Sequence, residues 1–166
     1  MIFHISIEAD DPERTARMMA EIWRGKAYPF PPVGKGSWVA MACDERNTTI
    51  EVYPRGLEFH EVPGDMQGED RMGASKRNGP FHAAIGTPLS AEEVKAIAAR
   101  HGVPAKVLPR GGGIFHVIEF WIDGCTMFEL LTPEFQQEYL DAVTPANWER
   151  MLAAGGPPKP VMPAAA

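Results

Sequence analysis

The 166-residue chain has only two cysteines, Cys43 and Cys125, set too far apart for a zinc-knuckle spacing. A reducing cytosol keeps both as thiols, which leaves out structural disulfides and thiolate metal sites. Basic residues are also few: 16 Lys and Arg against 22 Asp and Glu give a formal net charge of -6, with no basic block. Nucleic acid and anionic membrane are therefore poor partners. Long apolar runs are absent, since the richest stretch, GIFHVIEFWI, is interrupted by His116 and Glu119 and is too short to span a bilayer. The N-terminal MIFHISIEADDPERT lacks a cationic segment followed by an apolar one, so the expected location is the cytoplasm. What is present, 45% hydrophobic residues in a chain of this length, suffices for one domain with a sizeable core and excludes disorder or a repeat fibre.

Residues 2 to 8 alternate as a strand does, and Asp11 followed by Pro12 supplies an N-cap and first helical residue for a helix to about Trp23. Met18, Met19, Ile22 and Trp23 recur at helical spacing, so one face of that helix is buried. The PFPP run at 29 to 32 stops it, and SWVAMA at 37 to 42 and TTIEVY at 48 to 53 form a hairpin across a DERN turn. Residues 55 to 80 show neither period and read as a linker or lid. Then the order repeats. FHAAIG is a strand, Ser90 with Glu93 makes a capping box for a helix ending at Gly102, and AKVLP, FHVIEFWI and CTMFELL are three more strands. The triple glycine at 111 to 113 is a hairpin turn and lacks the spacing of a phosphate-cradling loop. EFQQEYLDAV and the NWERML segment after Thr144 and Pro145 predict two short helices over 133–153, and the Pro-rich tail 154–166 is expected to be disordered.

The organisation is thus a duplication, residues 1–54 and 81–132. An offset of 78 lays His4 on His82, Ile7 on Ile85, Val39 on Val117 and Glu51 on Glu129. Strand parity adds to it, because side chains alternate between the two faces of a sheet. Phe3, Ile5 and Ile7 form one face and leave His4 on the other; Ile50 and Val52 oppose Glu51. In the second half Phe81, Ala83 and Ile85 oppose His82, and Phe128 and Leu130 oppose Glu129. With helices on the apolar side, all four polar groups point to the concave side of the sheets.

This arrangement resembles the vicinal oxygen chelate superfamily, the glyoxalase, bleomycin-resistance and extradiol-dioxygenase group, over roughly residues 1 to 132. The resemblance implies an α+β fold of two paired βαβββ modules forming a curved mixed sheet, with helices outside, commonly as a homodimer in which modules are exchanged. It implies one divalent ion (Ni, Zn, Co, Mn or Fe) held by His4, Glu51, His82 and Glu129, with Glu51 or Glu129 also shuttling a proton. A small substrate with vicinal oxygens would then undergo isomerase or lyase chemistry. A non-catalytic binding protein of the bleomycin-resistance type and an iron-dependent dioxygenase are the alternatives. The sequence departs from the family in DGCTMFE, where an aspartate-glycine-asparagine turn is usual, and in GKAYPFPP after the first helix.

Further candidates follow from position. Tyr53 shares parity with Glu51 and either donates to a substrate oxygen or packs as an aromatic; Arg55 and Arg110 are candidate anchors for an anionic group. His116 and Glu119, three apart, cannot share a strand face, so only one of them lines the pocket, and His116 is a candidate substrate contact. His60 and His101 have no counterpart in the repeat and are assigned to the surface.

Overall fold

The structure is a computed structural model that describes residues 2–63, 66–74, 77–79 and 81–155. The expected tail from residue 156 onward lies outside them. In chain order the elements are β1 (His4–Ala9), α1 (Pro12–Trp23), β2 (Lys26–Pro29), β3 (Trp38–Met41), β4 (Thr49–Pro54), β5 (Leu57–His60), β6 (Glu69–Met72), β7 (His82–Gly86), α2 (Ala91–His101), β8 (Ala105–Arg110), β9 (Phe115–Ile122), β10 (Thr126–Leu131), α3 (Pro133–Ala142) and α4 (Pro145–Ala153). The fold is α+β, and each half is a βαβββ module.

The two modules repeat one topology. The first sheet runs β1-β4-β3-β2 and the second β7-β10-β9-β8. In each, the first strand pairs parallel to the last, Ser6 with Glu51 and Ala84 with Glu129, and the other pairs are antiparallel. Strand β2 is absent from the sequence reading because Lys26–Pro29 is short and ends in proline. A proline is tolerated here because β2 is an edge. The stretch 55–80, read as a linker or lid, contains a two-stranded ribbon, β5 with β6.

Local chemistry starts and stops both crossover helices as the sequence suggests. The Asp11 carboxylate accepts from Arg14 N at 3.0 Å and Pro12 opens α1. Ser90 and Glu93 cap α2 reciprocally, and Gly102 closes it in the left-handed conformation, φ 64. Ile5, Ile7, Ile50 and Val52 of the first sheet and Ile118, Phe120, Phe128 and Leu130 of the second all turn toward α1 and α2 and merge into one core. The helices touch, tied by Arg24–Glu93 at 3.0 Å, by Arg100 to Glu21 and by His101–Glu21 at 3.1 Å. His101 therefore joins the modules, a role beyond the surface one expected. Because both sheets give their apolar sides to this shared core, their polar sides lie outside it. Among the described residues no helix is long and apolar enough to cross a membrane.

Candidate functional site

The polar face of the first sheet carries His4 and Ser6 from β1 and Thr49, Glu51 and Tyr53 from β4. Parallel pairing sets Ser6 beside Glu51, and the Ser6 hydroxyl donates to Glu51 Oε2 at 3.0 Å. Tyr53, two residues on and so on the same face, donates its hydroxyl to the same oxygen at 2.5 Å. Burial, and then the bond to the Glu51 carboxylate, push the Tyr53 phenol up to about 12. Phe59 of β5 lies edge-on to the Tyr53 ring at 5.5 Å and Phe30 is 6.5 Å away, so the ribbon leans on this face.

The second sheet's face carries His82, Glu129, Glu119, Trp121 and Arg110. Glu119 sits opposite Glu129 in the antiparallel pair of β9 and β10. Arg110, the last residue of β8, bonds both: Nε to Glu129 Oε1 at 2.9 Å and Nη2 to Glu119 Oε1 at 2.7 Å. The Trp121 indole donates to the other Glu119 oxygen at 3.1 Å. Burial by itself raises the Glu119 carboxyl, but the bonds from Arg110 and Trp121 outweigh it and hold it below its usual value. For Arg110 burial acts to lower and the two carboxylates to raise, and the guanidinium ends up above its usual range.

Equivalent positions in the modules thus bear equivalent groups, but one chain does not gather them. Among the described residues, no group of three or more His, Cys, Asp or Glu could hold a metal ion. His4 and Glu51 belong to one sheet, His82 and Glu129 to the other, and the donors of a single chain do not fit a cation on their own. The helices bring the apolar sides of the two sheets into one core, and so the polar sides are kept out of it.

Two candidate substrate contacts are also placed elsewhere. Arg55, only 11% exposed, is ringed by Glu8 at 3.2 Å, Asp123 at 2.7 Å and Asp10, so a further anion finds no free edge on it. Burial acts to lower that guanidinium, but Asp10 and Asp123 raise it further. His116 shares its strand face with Ile118 and Phe120; its Nδ1 pairs with Glu138 of α3 at 3.0 Å and its ring lies 5.6 Å from Phe135. Of the pair three apart on β9, Glu119 is on the polar face. His60 pairs with Glu58 at 3.2 Å on the outer ribbon, where a surface role was expected.

Sequence reading missed Ser6 as a hydroxyl partner of Glu51 and Asp123 as a partner of Arg55. The signal for Ser6 was available: it is two residues from His4 and so on the same face. A cleft of about 730 Å³ lies between the starts of β1 and β7, lined by Ile2, Phe3, Ile5, Trp23, Ala83 and Ile85 among others, with His4 at its wall.

Comparisons with known proteins bear on the fold. A FosX fosfomycin resistance protein of Listeria monocytogenes, complexed with Mn(II) and 1S,2S-dihydroxypropylphosphonic acid, matches with 16% identity, 84% of this chain, 94% of that chain and a TM-score of 0.53. The same protein with Mn(II) and sulfate matches at 14% identity, 85% and 96% coverage and a TM-score of 0.53. A glyoxylase/bleomycin resistance protein/dioxygenase domain from a Frankia species matches at 13% identity, 80% and 96% coverage and a TM-score of 0.50. The chain has the vicinal oxygen chelate fold. No protein-family model matches it, and no curated protein does. Within that fold the repeated His and Glu occupy the first and last strand of each module.

Proposed function

We propose that this is a metal-dependent vicinal oxygen chelate enzyme, a glyoxalase-like isomerase or lyase acting on a small substrate with adjacent oxygens. It works as a homodimer in which His4 and Glu51 of one copy and His82 and Glu129 of a second copy face a common divalent cation. The observation that carries this reading is the division itself: each module presents an equivalent His and Glu on a sheet face outside the core, and neither pair suffices alone. The cation-containing neighbours of the same fold support it. Among the described residues strands β1 and β7 end their sheets, so each is an edge that a second chain could meet.

In this reading Glu51 is the proton-transfer group. Its neighbours there are the neutral hydroxyls of Ser6 and Tyr53, whereas Glu129 is held by the Arg110 guanidinium that it shares with Glu119. Both hydroxyls bond Oε2, which fixes the carboxylate plane and makes Oε1 the oxygen that takes a proton from a substrate carbon. Such general acid-base catalysis contributes roughly 10²–10⁴-fold. The apolar cleft favours a second reading, a non-catalytic binding protein, in which that space alone takes a small apolar molecule.

Two double variants test the proposal. H4A/E51Q and H82A/E129Q should each bind no stoichiometric Mn(II). When the two are unfolded together and refolded as a mixture, random pairing should restore roughly a quarter of the wild-type sites, since each mixed dimer holds one intact site. A wild-type protein that binds no divalent ion, or a mixture that restores none, refutes the shared centre and leaves the apolar cleft as the binding site.

A further inference from the structure

One hydroxyl under the β5–β6 ribbon is left without a partner. Trp38 pairs with Val52, so Ser37, one step before, stands opposite Tyr53 and shares its face with Glu51. Ser37 is 3% exposed, and among the described residues its Oγ has no hydrogen-bond partner. A buried hydroxyl left in that state is costly and uncommon. Above it, Phe59 and Asp70 are partners across the ribbon and so share a side, the side on which the Phe59 ring meets Tyr53 at 5.5 Å. Asp70 therefore faces the sheet, and its charge is among the causes that raise the Tyr53 phenol. A Cβ at Gly34 would lie 3.3 Å from Ser37 Oγ and 3.9 Å from Asp70 Oδ2. The two oxygens thus flank one glycine without bonding.

Water cannot pair with the Ser37 hydroxyl in place, because that oxygen is enclosed, so pairing it requires a movement. The ribbon is the element built to move. It forms a two-stranded sheet of its own, and β6 is exposed throughout. Its base is two glycines, Gly56 at φ 89 and Gly73, whose N–H donates to the Gly56 carbonyl at 2.7 Å. We propose that the ribbon is a lid over Glu51 and that Ser37 and Asp70 are its latch: when it swings inward, the Ser37 hydroxyl donates to the Asp70 carboxylate. The described arrangement is the unlatched state. Latching satisfies the stranded hydroxyl with a charge-assisted bond. It also carries Phe59, 57% exposed, further across Tyr53, whose hydroxyl holds Glu51, and so shuts water away from that carboxylate. Only the use of the lid rests on Glu51 as the proton-transfer group; the latch itself needs neither cation nor substrate.

The test is a cysteine trap in the full-length protein, followed by hydrogen exchange. S37C/D70C should form a 37–70 disulfide under oxidised glutathione, which requires the ribbon to bring the two Cα atoms within about 7 Å. Glu69 lies on the other side of the ribbon, so S37C/E69C should form none. Peptide mapping separates this bond from any made by Cys43 or Cys125. In D70A and in S37A the amides of Leu57–His60 should exchange at least roughly 5-fold faster than in wild type, and the double variant no faster than either. The sign for S37A decides, since removing a hydroxyl that never pairs would leave exchange unchanged or slow it. A 37–70 bond no more abundant than in the control overturns the lid. Unchanged exchange in D70A, whose exposed site tolerates the substitution should S37C not fold, overturns the latch. Trapping in a protein that binds no Mn(II) upholds the lid and removes the enzyme reading, whereas Mn(II) binding without trapping does the reverse.

Discussion

Glu51 and Glu129 hold matching positions in their modules and meet different company. Glu51 is met by the neutral hydroxyls of Ser6 and Tyr53, while Glu129 shares the Arg110 guanidinium with Glu119. A phenol bonded to a carboxylate in a buried place is costly to ionise, because its anion would lose water and face a like charge. Tyr53 should therefore titrate at about 12 in an ultraviolet absorbance titration, and that step should vanish in Y53F. In E51Q it should move only part of the way down, since burial, the larger cause, remains. The sign for stability follows. The folded phenol titrates above its ordinary value of 10, so its contribution, ~3 kcal/mol at most, is complete below pH 10 and lost as the pH rises toward about 12. At this scale the sequence told which face each residue occupies, because parity is local. It did not tell that Glu129 is bridged, because Arg110 lies 19 residues away and reaches it through the register of three strands.

Elements obey chemistry that can be read along the chain, with one steric exception. The capping box of Ser90 and Glu93 and the Pro12 start of α1 are sequence signatures and both form. Gly25 is different. A Cβ there would lie 1.9 Å from the carbonyl oxygen of Met41, where β3 runs past the end of α1. Backbone on both sides cannot yield as a flexible side chain would, so Gly25→Ala should destabilise the protein by roughly 1–3 kcal/mol. Ser90→Ala, which removes one cap, should cost about 1 kcal/mol. Thermal unfolding of both variants checks the order, and an equal or smaller loss for Gly25→Ala would contradict it. The contact that makes Gly25 necessary joins two elements, so no local pattern announces it. Strand β2 escaped for a related reason: KAYP becomes a strand by pairing with Trp38–Met41, and its own residues favour no such thing.

At the scale of the molecule, a half-buried guanidinium adds to the helix–helix ion pairs that tie the modules together. Arg55, at the end of β4, holds Glu8 and Asp10 of the first module and Asp123 in the β9–β10 turn of the second. Asp123 and Gly124 both have positive φ, 51 and 67, in the three-residue turn 123–125 that aims the Asp123 carboxylate across the module boundary. Asp123 also accepts from Asp10 N at 2.8 Å, and Arg77 joins from the other side of Asp10 at 3.0 Å. Arg55→Met leaves three carboxylates facing one another. It should cost on the order of 2 kcal/mol in urea unfolding, under the roughly 3–5 kcal/mol of a fully buried pair because Asp10 is 46% exposed. Arg77 and then Arg55 hold the Asp10 carboxyl below its ordinary 3.8, so this group's stabilisation is full above that value and fades as the pH falls beneath it. The acid-side loss of stability should be shallower in the Arg55→Met protein, and an unchanged slope would show that Arg55 does not hold the Asp10 carboxyl down.

The sequence by itself determined the duplication, the βαβββ order of each half, the helix caps and the face on which His4, Glu51, His82 and Glu129 stand. Each of these follows from residues close in the chain, through the period of a strand or helix and the satisfaction of its ends. Only the tertiary structure decided that the two faces lie outside a shared core, that Arg110 claims Glu129, and that Arg55 and His116 belong to other networks. Those outcomes depend on which apolar faces bury one another and on strand registers between distant segments, and a one-dimensional pattern does not carry that information.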